Sequence, residues 1–181
     1  PKPVFREENL ADIVGHAVFL FEVANTDIEF RFEPQVTGII PMFADRRQLG
    51  QAVTNILKNA VESIEQRRAN SGNDSPKGQI RALIKSEAGK LAIHIADNGT
   101  GLPSDRERIA EPYVTTRATG SGLGLAIVKK IVEEHQGTLG FDDNPDGGAI
   151  VTMSFDLARL DAIATGSINS ETHDNRNSKA E

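Results

Sequence analysis

Apolar residues at 10, 13, 14, 17, 18 and 21 repeat with the period of one helical face, and Asn9 precedes them as an N-cap, which predicts a helix over 10–22. Residues 28–32 alternate Ile, Phe and Phe with Glu and Arg, the pattern of a half-buried strand. A short apolar run at 39–43 is broken by Pro41, which suits an edge strand. Asp45 then caps the most strongly periodic segment, a helix expected to reach about Gln66. The polar, turn-rich stretch 69–78 reads as a loop. Beyond it, 79–86 and 90–96 both alternate around Glu87-Ala88-Gly89, an antiparallel hairpin. Residues 98–121 hold glycines, prolines and charges without a period, and at that length a functional lid is expected rather than a passive connector. Apolar residues at 123, 127, 128, 131 and 132 predict an amphipathic helix over 122–135, ended by Gln136-Gly137. A final hairpin joins 138–141 to 149–157 across Asp-Asn-Pro-Asp-Gly-Gly. From Ala158 the pattern dissolves, so 158–181 is expected to be a disordered tail. Segregated helices and mainly antiparallel strands predict an α+β fold, a two-layer sandwich formed by residues 1–157.

Composition narrows the function. The 181 residues carry 20 Lys+Arg and 26 Asp+Glu, a net charge of −6 without a basic block, which argues against a surface built to track nucleic-acid phosphates. Cysteine is absent, which removes disulfides, thiolate zinc sites and Cys nucleophiles. The longest apolar stretches, 13–21 and 37–44, fall well short of the roughly 18 residues of a membrane helix, so no membrane segment is expected. The chain begins with Pro1 rather than Met, which reads as a piece of a longer protein.

Three segments carry candidate chemistry. Asn55 and Asn59 stand four apart on the long helix, about 40° apart around it and about 6 Å along it. At the edge of the apolar stripe their amide oxygens suit a hard cation such as Mg²⁺, although two such amides also serve as ordinary surface groups. Asp97-Asn98-Gly99-Thr100-Gly101 follows a strand; the carboxylate can accept from an exocyclic amine and the glycines let backbone approach a flat ligand, though an Asx turn uses the same residues. Gly120-Ser121-Gly122-Leu123-Gly124-Leu125 opens a helix whose free N–H groups suit phosphate, without the Lys-Ser/Thr of a P-loop. The histidines offer less: His94 sits on a strand, His135 in the last turn of a helix where a cation suits the dipole, His16 has no acidic neighbour and His173 lies in the tail. No HExxH or Ser-His-Asp arrangement is present, so no zinc site is expected.

In this order the three segments resemble the N, G1 and G2 boxes of the Bergerat (GHKL) ATP-binding fold, shared by sensor histidine kinases and by chaperone, mismatch-repair and gyrase ATPases. Glu111-Pro112-Tyr113-Val114-Thr115-Thr116-Arg117 resembles the EPYxTTK lid of two-component sensor kinases, and the following helix through Glu134-His135-Gln136-Gly137 is similar to theirs. The Pro1-Lys2-Pro3 opening and the Asn9-Leu10 helix entry resemble nitrogen-regulation sensor kinases of the NtrY type. The resemblance implies a mixed, mainly antiparallel sheet covered on one face by three helices, with a nucleotide lid. It implies ATP and Mg²⁺ as ligands, with Asn59 as the metal ligand and Asn55 supporting the phosphates. Asp97 would read the adenine amine and Gly99 and Gly101 would shape the base pocket. Tyr113, Thr115, Thr116 and Arg117 would belong to the lid, and Gly120, Ser121, Gly122, Leu123, Gly124 and Leu125 to the phosphate site.

Departures sharpen the expectation. Asn55 stands where the ATPases of the superfamily carry a water-activating Glu, which favours phosphoryl transfer over hydrolysis. Glu62 replaces a common Lys, Arg117 replaces the lid Lys, Ala110 replaces a lid Phe, and Ala149 follows Gly148 where Thr is common. No segment resembles the phosphoacceptor box; His16 lacks both its acidic neighbour and its downstream Pro. The resemblance therefore implies the ATP-binding portion of a cytoplasmic kinase region, with no catalytic base or acceptor of its own. Its partners would be separate dimerisation and phosphoacceptor helices and a response regulator. A GHKL ATPase or conformational switch, an anti-sigma-type serine kinase and a non-catalytic binding module are the alternatives.

Overall fold

The computed structural model describes residues 2–36, 38–71, 75–104, 106, 109–111, 122–164 and 166. Strand β1 (Arg6–Asn9) leads directly into helix α1 (Leu10–Ala24), because Asn9 ends the one and caps the other. Its Oδ1 accepts the Ala11 N–H at 3.2 Å and also the Ile40 N–H at 3.0 Å, so one amide side chain ties the helix start to the chain before strand β3 (Pro41–Ala44). β1 and β3 pair antiparallel, Arg6 opposite Ala44 and Asn9 opposite Pro41, as a separate two-stranded sheet. The edge assignment for the Pro41 segment holds, but its partner β1 has no alternating pattern and was not expected.

The main sheet runs β2-β4-β5-β7-β6, formed by β2 (Ile28–Pro34), β4 (Gly78–Glu87), β5 (Lys90–Asp97), β6 (Thr138–Asp143) and β7 (Ala149–Asp156). Only the β2–β4 pair is parallel, and helix α2 (Arg46–Ser71) lies in the crossover between them, as a parallel pair requires. Alternation decides which face is covered. Ile80, Ala82 and Ile84 of β4, Leu91, Ile93 and Ile95 of β5, and Val151, Met153 and Phe155 of β7 are buried. The opposite face carries Arg81, Leu83, Lys85, His94, Thr152 and Ser154, none of which is buried. The covered face packs against α1, α2 and helix α3 (Gly124–Glu134), with α2 between the other two. The expected two-layer sandwich is therefore present.

Two further features differ from expectation. Residues 158–164, assigned above to a disordered tail, and Leu157, assigned to the last strand, form helix α4 (Leu157–Ala164). Asp156 caps it by accepting from Ala158 N–H at 3.0 Å, and Leu160 is 0% exposed against β3 and β7. One buried leucine on an eight-residue helix leaves too faint a period to stand out beside a polar tail. Residues 167–181 lie outside the described residues. The second is His135, which carries no charge suited to a helix dipole. It is 0% exposed, its Nε2 accepts the Asp45 N–H at 3.0 Å and its Nδ1 donates to Ile131 O at 2.8 Å. Burial drives its pKa below the usual 6.5, which the pairing to Ile131 and the Asp45 and Glu134 charges only partly offset.

Candidate nucleotide site

The site is assembled on one stripe of α2. Its apolar face, through Leu49, Val53, Ile56, Leu57, Ala60 and Ile64, is buried in the core. That seating fixes the direction of the residues at its border. Asn55 Nδ2 donates to Gly124 O at 3.3 Å, which tethers the first residue of α3 to α2. Asn59 lies one turn further on, beside the same residue: a Cβ at Gly124 would stand 3.9 Å from Asn59 Oδ1. The two amides predicted to act together do flank the start of α3. Leu123 occupies the N-cap of α3 and supplies no side-chain acceptor to its first amides. Gly122 and Leu125 complete the described part of that box, Leu125 packing on the core. Tyr113, Thr115, Thr116, Arg117, Gly120 and Ser121 lie outside the described residues.

The Asp97–Gly101 turn leaves the end of β5 and is gripped from three sides. Asp97 is 6% exposed, and its Oδ1 accepts the Gly99 N–H at 2.8 Å. From β4, Asn98 Oδ1 accepts the Gln79 N–H at 2.8 Å, and Asn98 Nδ2 donates to Lys77 O at 2.9 Å. From the β6–β7 turn, Asn144 Nδ2 donates to Asp97 O at 2.8 Å. Gly148, at φ +86°, presses on the same turn so closely that a Cβ there would meet Asp97 O at 2.2 Å. From α2, Ser63 Oγ accepts the Thr100 N–H at 3.0 Å, and Arg67 donates through Nη1 to Asn98 O and through Nη2 to Pro76 O at 2.6 Å. Burial lowers the Arg67 pKa, while the nearby Asp97 charge acts in the opposite direction. Gly99 must be glycine for lack of room: a Cβ would lie 2.1 Å from Ser63 Oγ and 2.6 Å from the Ser63 carbonyl carbon.

Asp97, Gly99 and Gly101 thus sit together on one side of α2, and Gly124, at the start of α3, meets Asn55 and Asn59 further along the same helix. Glu62 pairs with Lys58 at 3.8 Å. The substituted Ala110 is nonetheless buried, as is Ile109, and Arg106 beside them pairs with Asp143 at 2.5 Å. Sequence reasoning missed Ser63, Arg67, Asn144 and Gly148. A signal for two of them was present, since Ser63 and Arg67 continue the four-residue spacing of Asn55 and Asn59.

Residues 44–159 match the family described as histidine kinase-, DNA gyrase B- and HSP90-like ATPase. The chain belongs to this family. Within this ATPase family it is 45% identical over 156 residues to the nitrogen regulation protein NtrY of Azorhizobium caulinodans, covering 85% of this chain and 20% of that protein. The chain thus spans about a fifth of the length of that relative. The catalytic domain of histidine kinase ThkA, in a nucleotide-free form, superposes with a TM-score of 0.73 at 26% identity, covering 85% of this chain and 96% of that one. ThkA in complex with the response regulator TrrA gives a TM-score of 0.67 at 25% identity, over 84% of this chain and 42% of that one. The chain is likewise similar to proteins named as NtrY-like sensor histidine kinases, and its fold is that of histidine kinase catalytic domains. Among the described residues no helix is long and apolar enough to cross a membrane.

Proposed function

We propose that this domain binds ATP with Mg²⁺ and presents the γ-phosphoryl group to a histidine on separate phosphoacceptor helices, from which a response-regulator aspartate then takes it. The observation that carries the reading is the convergence of the Asp97–Gly101 turn and the start of α3 on the stripe of α2 that holds Asn55 and Asn59. The donor set fits a hard cation, since Asn59 offers an amide oxygen beside a helix start that has no side-chain cap. Asn59 would hold Mg²⁺, which supplies charge neutralisation along the triphosphate. Asp97 accepts the adenine amine, with its other oxygen oriented by Gly99. The α3 amides and their dipole orient the phosphates, Gly120 and Ser121 would belong to the same phosphate-binding segment, and Tyr113, Thr115, Thr116 and Arg117 would belong to the lid. Transfer breaks the bond from the γ-phosphorus to the bridging oxygen, leaves ADP, and forms a bond from phosphorus to an imidazole nitrogen of the acceptor.

Asn55 supports transfer rather than hydrolysis, because an amide that donates to Gly124 O has no basic atom with which to activate water. The parent protein is read as a sensor kinase whose catalytic portion faces the cytoplasm. Calorimetric titration with ATP, ADP and a non-hydrolysable analogue, with and without Mg²⁺, tests the binding. Mg²⁺-dependent ATP binding is expected, and absence of binding overturns the reading. Mixing the domain with a phosphoacceptor-helix fragment and labelled ATP tests the transfer. Label on the fragment's histidine supports it; a nucleotide-loaded domain that leaves the fragment unlabelled counts against it.

A further inference from the structure

Arg67 and Ser63 touch backbone rather than any atom assigned above to ligand, and the peptides they hold are consecutive. The Asn98–Gly99 peptide is planar, so its C=O and N–H point from opposite edges and turn together. Arg67 holds the C=O edge; the N–H edge donates to Asp97 Oδ1 at 2.8 Å. One peptide further, Ser63 Oγ holds the Thr100 N–H at 3.0 Å and also meets Thr100 Oγ1 at 3.2 Å. Arg67 is itself steadied by Pro76 O, just before β4, so its guanidinium bridges two loops. Asn55, Asn59, Ser63 and Arg67 are each four residues apart, a polar seam about 18 Å long that winds along α2. One end of the seam meets the start of α3 and the other end meets the turn carrying Asp97.

We infer that Arg67 and Ser63 are positioning residues for nucleobase selection: by fixing two successive peptides of the Asp97 turn to α2, they aim the Asp97 carboxylate at an exocyclic amine. The inference rests on the nucleotide reading above and deepens it. A carboxylate held in one rotamer accepts from the 6-amino group of adenine and repels the 6-oxo group of hypoxanthine. Released from Arg67, the Asn98–Gly99 peptide can turn, the carboxylate loses its fixed donor, and discrimination between the two bases falls. A group that selects the base acts on the purine alone and leaves recognition of the phosphates to Asn59 and α3.

The test is calorimetric binding of ATP, ITP and inorganic tripolyphosphate, each with Mg²⁺, to the wild-type chain and to Arg67→Met, Arg67→Lys and Ser63→Ala. The ATP-to-ITP affinity ratio is expected to fall about tenfold in Arg67→Met and less in Ser63→Ala, the scale of one charge-assisted or one neutral hydrogen bond. Arg67→Lys, which keeps a cation able to reach Asn98 O, should recover part of the ratio. Tripolyphosphate affinity should stay within twofold in all three. An unchanged ATP-to-ITP ratio in both Arg67→Met and Ser63→Ala overturns the inference, as does an equal loss for ATP and tripolyphosphate. A wild-type chain that binds ATP no better than tripolyphosphate overturns the nucleotide reading itself, an outcome distinct from either of these.

Discussion

Asn59 and Gly99 place different demands on the residues that stand there. Asn59 sits at the open border of the α2 stripe beside Gly124, so its replacement leaves the packed face of the helix untouched. Asn59→Ala or Asn59→Asp should lower Mg²⁺-dependent ATP affinity roughly tenfold to a hundredfold, the range seen when groups supporting a bound metal are lost. The midpoint of denaturant unfolding should move little; calorimetry beside urea melts separates the two effects. Gly99 is the reverse case. A methyl at 2.1 Å from Ser63 Oγ and 2.6 Å from the Ser63 carbonyl carbon forces backbone to move, so Gly99→Ala should cost about 2–3 kcal/mol of stability by urea melts. Adding Ser63→Gly should not restore it, because the carbonyl carbon remains. Asn55, Asn59 and Asp97 were legible in the sequence because each is a polar residue at a fixed offset from an apolar pattern. Ser63 was marked only by continuing their four-residue spacing, because a serine on a helix border does not show what it will hold. The partners of its hydroxyl, the amide and Oγ1 of Thr100, lie 37 residues away.

At the scale of elements, the start of α2 and the end of α3 are joined through His135 and Asp45. Asp45 accepts from Gln48 N–H at 3.0 Å and from Val4 N–H at 2.8 Å; burial raises its pKa, but these amides and the Arg47 charge outweigh that and hold it below the usual carboxylate range. His135 is flanked by Phe5 and Phe155, with ring centroids at 4.8 and 6.4 Å, and its Nε2 can accept from Asp45 N–H only when the ring is neutral. Its folded pKa lies below 6.5, so the unfolded chain binds the proton first as pH falls. Stability contributed by neutral His135 is therefore complete above about pH 7.5, is lost as pH falls through 6.5, and stops declining below the folded pKa. His94, also lowered by burial, adds in the same direction. Urea midpoints measured from pH 8 to pH 5 should fall, and His135→Gln should flatten most of that slope while lowering stability at pH 8. The sequence showed where α3 ends but not this bond, because Asp45 and His135 are 90 residues apart. The helices and the β4–β5 and β6–β7 hairpins were legible since their patterns are local. Strand β1, four residues with no apolar alternation, exists only because β3 lies beside it.

For the whole molecule, α4 closes the fold by packing against β3 of the small sheet and β7 of the large one. Leu157 N–H donates to Gly89 O at 3.0 Å, so the helix is also fastened to the β4–β5 turn. Leu160→Ala should destabilise the chain by about 2–5 kcal/mol, measured by urea unfolding, if α4 belongs to the folded unit; a change below about 0.5 kcal/mol would place the helix outside it. The strand order has a consequence in time. The turn bearing Asp97 follows β5, but Gly148, one of the groups that clamps it, comes 51 residues later, and β7 must pair with β5 before that clamp exists. At about 5–20 residues per second, a growing chain carries Asp97 for about 3–10 s before Gly148 has been added. During translation the turn bearing Asp97 is therefore among the last parts of the domain to mature, and on the nucleotide reading proposed above a nascent chain is expected to bind ATP only once nearly all of its sheet has been made.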